Sequence, residues 1–144
     1  MIRAVLDTNV LVSALITREG HSSQIVSRAT FEFSWLTSEY ILAETASVLA
    51  RKHIQARYGA WVTAERQNQY LAAARILAEI IDVQTTLAAA TRDPKDDPVL
   101  ACAVYGRADC LVTGDPDLLT LQHYQGIILT TPKRFVGILD ALQA

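Results

Sequence analysis

The sequence predicts an α/β fold in which a parallel sheet is covered by helices on both faces. Short, almost wholly apolar segments alternate along the chain with longer segments that carry apolar residues at helical spacing. Continuous apolar strands are typical of parallel sheets buried on both sides, and their alternation with helices is typical of crossover connections. The 144 residues contain no repeat and no long linker, so we expect residues 1–144 to form one domain.

The predicted strands are apolar runs of three to five residues, each bounded by polar or turn-forming residues. The first run stops at Asp7, and the fourth stops at the turn-forming Gly114. In chain order the predicted strands cover residues 2–6, 33–36, 80–83, 110–113 and 127–129.

The predicted helices begin where a capping residue precedes apolar residues at helical spacing. Ser38 suits the cap of one helix, and Asp97 before Pro98 suits the start of another, because Asp caps well and Pro fits the first turn. The segment 62–79 is rich in alanine, the strongest helix former. In chain order the predicted helices cover residues 8–16, 22–29, 38–53, 62–79, a segment from 97 onward, and 133–142.

Composition excludes several functional classes. The net charge of −2 excludes a protein that binds nucleic acid through overall positive charge, so such binding would need a local basic surface. No apolar run approaches the ~20 residues that span a bilayer, and no segment resembles a secretory signal, so we expect a cytoplasmic protein without membrane contact. Cys102 and Cys110 are too few for a disulfide framework or a zinc site, and we expect buried, reduced thiols.

Two acidic residues follow apolar strands directly. Asp7 comes after the first predicted strand and Asp115 after the fourth. Because ligands of parallel sheets bind outside the carboxyl ends of the strands, we expect both side chains at one edge of the sheet. Each of them, like Asp97, also suits a helix cap, so a purely structural role stays open for all three.

Glu44 differs from these acids because it falls inside a predicted helix. With Ile41 and Val48 it occupies positions i, i+3 and i+7, which places its carboxylate beside an apolar stripe. A carboxylate that faces the core needs a partner or a metal ion, because burying it alone is costly. The alternative is that Glu44 lies at the edge of the stripe and reaches solvent.

Four acids near one sheet edge, Asp7, Glu44, Asp97 and Asp115, would repel one another if left unpaired. A divalent cation would neutralise them. Mg²⁺ and Mn²⁺ prefer carboxylate and water oxygens, whereas the Cys and His ligands that zinc prefers are absent from this set. One or two such ions suit the hydrolysis of a phosphodiester bond.

The motifs that carry these acids resemble the PIN-domain family, and in detail the VapC-like toxin components of bacterial toxin–antitoxin pairs. Residues 6–11 (LDTNVL) are similar to the N-terminal PIN signature, and residues 38–51 to the helix with the second acid. Residues 92–97 (RDPKDD) and 112–115 (VTGD) are similar to the third and fourth acidic blocks. The resemblance spans nearly the whole chain.

The resemblance implies a three-layer PIN-like domain with a sheet of about five parallel strands. It also implies an endoribonuclease that depends on Mg²⁺ or Mn²⁺, a homodimer, and a small antitoxin protein as partner. It assigns Asp7, Glu44, Asp97 and Asp115 to catalysis and metal binding. Asp96 competes with Asp97 for the third position, while Thr113 and Asn9 match supporting polar residues.

Several other side chains have two interpretations. Arg51, Lys52 and Arg57 suit contacts with RNA phosphates, or equally a solvated helix end where basic residues favour the dipole. The aromatic side chains that could stack on bases, but that core or dimer packing would explain as well, are Trp35, Trp61 and Tyr70.

Two further functions compete with the ribonuclease. A phosphatase of the haloacid-dehalogenase type would use Asp7 as its nucleophile, but that group has a second Asp two residues later, where this chain has Asn9. A PIN-like domain that has lost catalysis and only binds RNA or a partner is the second alternative. The presence of all four acids argues against such a loss.

Overall fold

A six-stranded sheet organises the described part of the chain. The computed structural model describes residues 1–83 and 97–144, and at Asp97 it describes the backbone only. Within these ranges the strands are β1 (Arg3–Leu6), β2 (Ser34–Thr37), β3 (Glu79–Ile80), β4 (Cys110–Val112), β5 (His123–Tyr124) and β6 (Ile127–Thr130). The helices are α1 (Thr8–Ile16), α2 (His21–Arg28), α3 (Glu39–Leu49), α4 (Lys52–Tyr58), α5 (Ala64–Leu77), α6 (Asp97–Tyr105), α7 (Pro116–Leu119) and α8 (Pro132–Gln143).

The strand order is β3-β2-β1-β4-β6-β5, and every neighbouring pair is parallel except β5 and β6. In the centre, Ala4 of β1 pairs with Trp35 of β2 on one side and with Cys110 of β4 on the other. From β1 the chain continues to β2 and β3 on one side of the sheet, and then crosses to β4 on the other side of β1. Such a switch in direction opens a crevice at the carboxyl ends of the two central strands, where ligands of α/β sheets bind.

Both faces of the central strands are buried. Ala4, Val5 and Leu6 point alternately to opposite faces, and each is 0% exposed. Helix α6 packs against β1, β2 and β4, and Phe33 meets Phe135 of α8 edge to face with ring centroids 5.2 Å apart. These observations confirm the predicted α/β class with a mostly parallel, covered sheet.

One predicted helix is wrong in its extent. The segment 38–53 is not continuous: α3 ends at Leu49, and α4 begins at Lys52. Arg51 has extended backbone angles, φ −62° and ψ 142°, which interrupt the helix between them. The Gln55 side chain then donates 2.8 Å to the carbonyl oxygen of Leu49 and so satisfies one of the carbonyls left at the end of α3.

Strand β5 was not predicted, because two polar residues carry no apolar pattern. It pairs antiparallel with β6 through a tight turn at Gln125 and Gly126, whose φ angles are 48° and 83°. Positive φ at both central turn residues suits a two-residue hairpin, and glycine adopts it without strain. Within the described ranges, none of the helices is both long and apolar enough to span a bilayer.

Candidate active site

Asp7 lies where β1 passes into α1 at the carboxyl edge of the sheet. Its backbone N–H donates 2.9 Å to the carbonyl oxygen of Val112, which ties it to the end of β4. Its Oδ1 accepts a 2.7 Å hydrogen bond from the Thr8 N–H, so Asp7 caps α1. The side chain is nonetheless aimed into a cavity, although the residue is only 5% exposed. The capping role and the site role therefore coexist.

The second oxygen of Asp7 is held by two side chains. The Thr113 hydroxyl donates 2.7 Å to Oδ2, and the Asn9 amide donates 3.0 Å to the same atom. Asn9 Oδ1 in turn accepts 2.9 Å from the Gly114 N–H. The start of α1 and the loop after β4 are thus fastened together around one carboxylate.

Asp115 follows β4 in that same loop. Its N–H donates 3.0 Å to Thr113 Oγ1, so one hydroxyl contacts both acids of this edge. Its Oδ1 caps the short helix α7 by accepting 2.9 Å from the Asp117 N–H. Capping accounts for one oxygen of Asp115, and no described residue donates a hydrogen bond to the other.

Glu44 reaches the same cavity from α3. The cavity has a volume of about 460 Å³. Ser38 begins α3 by accepting a 3.3 Å hydrogen bond from the Ile41 N–H, and Glu44 lies half-buried one turn further along. The cavity is lined by Asp7, Thr8, Asn9, Val12, Ser13, Ile16, Thr17, Glu44, Val48, Arg51, Tyr58 and Asp115. The structure therefore brings three of the four predicted acids together.

The electrostatics of the site centre on Asp7. Burial raises the pKa of Asp7, and the charges of Asp115 and Glu44 raise it further. The hydrogen bonds from Thr113 and Thr8 favour the ionised carboxylate and oppose that shift. A positive charge in the cavity would relieve the repulsion among the three acids.

The donor set fits a hard divalent cation, because its carboxylate oxygens are the ligands that Mg²⁺ and Mn²⁺ prefer. Thr8 also lines the cavity, and its buried hydroxyl has no hydrogen-bond partner among the described residues. The described residues alone do not form a compact group of three or more metal ligands. The remaining predicted acids, Asp96 and the side chain of Asp97, lie outside the described residues.

A second cavity of about 460 Å³ adjoins the first. The two share Asn9, Ser13 and Asp115, and the second extends toward Ser22 and Pro132. Of the three acids in the first cavity, Asp115 therefore also faces the second.

The basic and aromatic side chains divide between the site and the core. Arg51 lines the cavity with the acids, whereas Trp35 is 3% exposed in the core. The Tyr70 hydroxyl donates 2.8 Å to the Leu11 carbonyl, and Trp61 Nε1 donates 3.0 Å to the Ile16 carbonyl. Packing therefore explains the three aromatic residues that the sequence singled out.

Sequence reasoning missed Tyr58, which lines the cavity from α4. Its position depends on the break at Arg51, which the apolar pattern did not reveal. The two cysteines are free and buried, as predicted. Burial raises the pKa of Cys102 to about 12 and that of Cys110 to about 11, so neither is a reactive thiolate.

A family model described as the PIN domain matches residues 3–117, a span that contains all four acids. The chain belongs to the PIN-domain family. The resemblance found in the sequence is thereby confirmed. No curated protein shows significant similarity to this PIN domain.

Solved structures share the fold of this PIN domain. One is a chain in the crystal structure of VapBC2 from Rickettsia felis, which is bound to a DNA fragment from the VapBC2 promoter. Its TM-score is 0.60 at 18% identity. The match covers 90% of this chain and 98% of that one. The PIN domain of T. brucei RRP44 has a TM-score of 0.50 at 14% identity, covering 99% of this chain and 83% of that one. At these identities the similarity concerns the fold.

Proposed function

We propose that this PIN domain is a metal-dependent endoribonuclease that hydrolyses RNA phosphodiester bonds, and that it is the toxin of a toxin–antitoxin pair. The observation that carries the proposal is the shared cavity of Asp7, Glu44 and Asp115 at the carboxyl edge of the sheet. Three carboxylates facing one solvent-accessible space are costly without a cation, and PIN domains are generally nucleases.

In this proposal Asp7, Glu44, Asp97 and Asp115 hold Mg²⁺ or Mn²⁺, with Asp96 as the alternative to Asp97. When bound, such an ion supplies positive charge at the phosphate and acidifies water for attack on phosphorus. Thr113 and Asn9 hold Asp7 by donating to its Oδ2, which orients the carboxylate and favours its ionised form. These contacts oppose the rise in the pKa of Asp7 that burial causes.

Cleavage within a strand is supported by the two adjoining cavities. An endonuclease needs room for the chain on both sides of the bond it cuts, and the cavities share Asn9, Ser13 and Asp115. Arg51, exposed at the edge of the first cavity, is in no ion pair with a described residue and suits a phosphate contact. Arg51 thus supplies a local positive charge for phosphate binding on a chain whose net charge is negative.

A small antitoxin protein is the partner that we propose, and a cytoplasmic homodimer of single-domain chains is the proposed assembly. The support for the antitoxin is the fold shared with a chain of the VapBC2 complex. Exposed apolar side chains at the end of α5 and in β3 support a protein interface: Ile76 is 82% exposed, Leu77 48% and Ile80 37%.

The experiment is incubation of the purified protein, free of antitoxin, with a mixed RNA pool in Mg²⁺, in Mn²⁺ and in chelator. Internal cuts that appear only with metal support the proposal, and the fragment ends then map the cleaved sites. RNA binding without cleavage under every condition would instead support the inactive binding module. A protein that neither binds nor cuts RNA would contradict both.

A further inference from the structure

The cavity that contains the acids has a second, apolar side. This side is lined by Val12 and Ile16 of α1, Val48 of α3 and Tyr58 of α4, and its apolar surface contrasts with the charged carboxylates. Hydrolysis of a phosphodiester bond uses none of these side chains. A cavity of about 460 Å³ is within the range of sites that hold small organic groups, which makes the apolar wall a candidate subsite.

Helix α4 is fixed in the position that brings Tyr58 to this wall. The Tyr58 and Trp61 rings meet edge to face, with centroids 5.6 Å apart and planes at 76°. Trp61 is itself anchored, because its Nε1 donates 3.0 Å to the carbonyl oxygen of Ile16. Tyr58 and the α1 residues of the wall therefore form one preorganised surface.

The same wall carries positive charge at its edge. The Arg57 guanidinium carbon lies 5.4 Å from the centroid of the Tyr58 ring, and Arg51 lines the cavity. Neither arginine forms an ion pair with a described acidic residue. The wall thus combines an aromatic ring, guanidinium groups that form no ion pair with a described acid, and carboxylates beyond it. These are the contacts that a nucleotide needs: a place for the base and one for its phosphate.

We propose that Val12, Ile16, Val48 and Tyr58 form a nucleobase subsite, in which the base next to the cleaved bond packs against Tyr58 while Arg51 binds a phosphate. This inference rests on the proposed ribonuclease function and deepens it. A base that enters the cavity has left its pairing partner, so the subsite selects unpaired nucleotides. Contact between the base and this wall then determines which phosphodiester bond of the RNA lies beside the acids.

The test is binding of two labelled octamers by fluorescence anisotropy: octauridylate, and an abasic octamer with the same phosphates. Both are titrated in Mg²⁺ against the Asp7→Asn protein, which prevents cleavage during the measurement. Base stacking on an aromatic side chain strengthens binding between about fivefold and about a hundredfold. We expect octauridylate to bind tighter than the abasic octamer by a factor in that range.

Substitutions at Tyr58 decide whether that preference comes from the subsite. Tyr58→Leu should bring the ratio of the two affinities close to one, and Tyr58→Phe should preserve it. Phe31→Leu is the matched control, because Phe31 is 82% exposed in the turn before β2 and outside both cavities that adjoin the acids. An unchanged ratio in a folded Tyr58→Leu protein would overturn the subsite.

Two further variants keep the test decisive if Tyr58→Leu does not fold. Val48→Asn makes the same wall polar from α3 and should lower the ratio, and an unchanged ratio would overturn the inference. Arg51→Gln should weaken both octamers equally and reduce the salt slope by about 0.7. Arg107→Gln should do neither, because Arg107 is exposed between α6 and β4 and lines neither of the two cavities. Failure of both the Asp7→Asn background and the parent protein, the latter titrated in chelator to prevent cleavage, to bind either octamer would overturn the ribonuclease itself, which separates the two failures.

Discussion

The Thr113 hydroxyl donates a 2.7 Å hydrogen bond to Oδ2 of the buried Asp7 carboxylate. The same hydroxyl accepts from the Asp115 N–H at 3.0 Å, so Thr113 sets the relative position of two acids that come from neighbouring strands. Its role in the proposed nuclease is positioning, since it acts through the carboxylates.

Thr113→Val removes this hydroxyl with little change of shape. We expect a loss of about 10- to 100-fold in metal affinity or cleavage rate, as is common when a hydrogen bond to a metal ligand is removed. Thr113→Ser keeps the hydroxyl and should stay within a few-fold of the parent protein. Metal affinity measured by calorimetry, together with the cleavage rate, checks both variants, and equal loss in both would contradict the hydrogen-bonding role.

Asp7→Asn should raise the melting temperature in chelator. The substitution removes a buried charge that Asp115 and Glu44 repel, and an asparagine oxygen can still cap α1. A gain of about 1 kcal/mol corresponds to a rise of roughly 3 °C for a chain of this size. Calorimetry without metal measures it, and a clear fall in melting temperature would show that the carboxylate is needed for folding.

Adding Mg²⁺ or Mn²⁺ should raise the melting temperature of the parent protein, because a ligand that binds only the native state stabilises it. At a metal concentration of 100 times Kd the gain is about 2.7 kcal/mol. The Asp7→Asn protein should show much less of this effect. A flat melting temperature across millimolar metal would count against a site that is preformed without RNA.

Ile76→Glu tests the proposed dimer. Ile76 is 82% exposed on α5, so a charge there should leave the fold intact while opposing any apolar interface. Sedimentation should show a dimer for the parent protein and a shift toward monomer for Ile76→Glu. Gln24→Glu, at an exposed position on α2, serves as a charge control away from α5. A dimer that is unaffected by Ile76→Glu would place the interface elsewhere.

The sequence predicted those parts of the site that follow from strand ends. Asp7 comes directly after β1 and Asp115 three residues after the end of β4, so the parallel pairing of these strands puts both acids at one edge. Glu44 was predicted from its place beside an apolar stripe, and it does reach the shared cavity.

The Tyr58 wall was not predictable in the same way. It requires that the backbone of Arg51 leave helical geometry, and that Trp61 find the Ile16 carbonyl 45 residues away in the chain. Neither event has a periodic signal, because both depend on packing between elements distant in sequence. The choice between Asp96 and Asp97 stays a prediction from resemblance.

The measurement that tests the central claim most directly is the single-turnover cleavage rate of RNA in Mg²⁺ for Asp7→Asn, Glu44→Gln and Asp115→Asn. The matched control is Asp109→Asn, which removes an exposed acid just before β4, at the opposite end of that strand from Asp115. We predict that each of the three variants lowers the rate by at least about 100-fold while Asp109→Asn keeps it. Parent-like cleavage by folded Asp7→Asn and Asp115→Asn proteins would contradict the assignment of the active site.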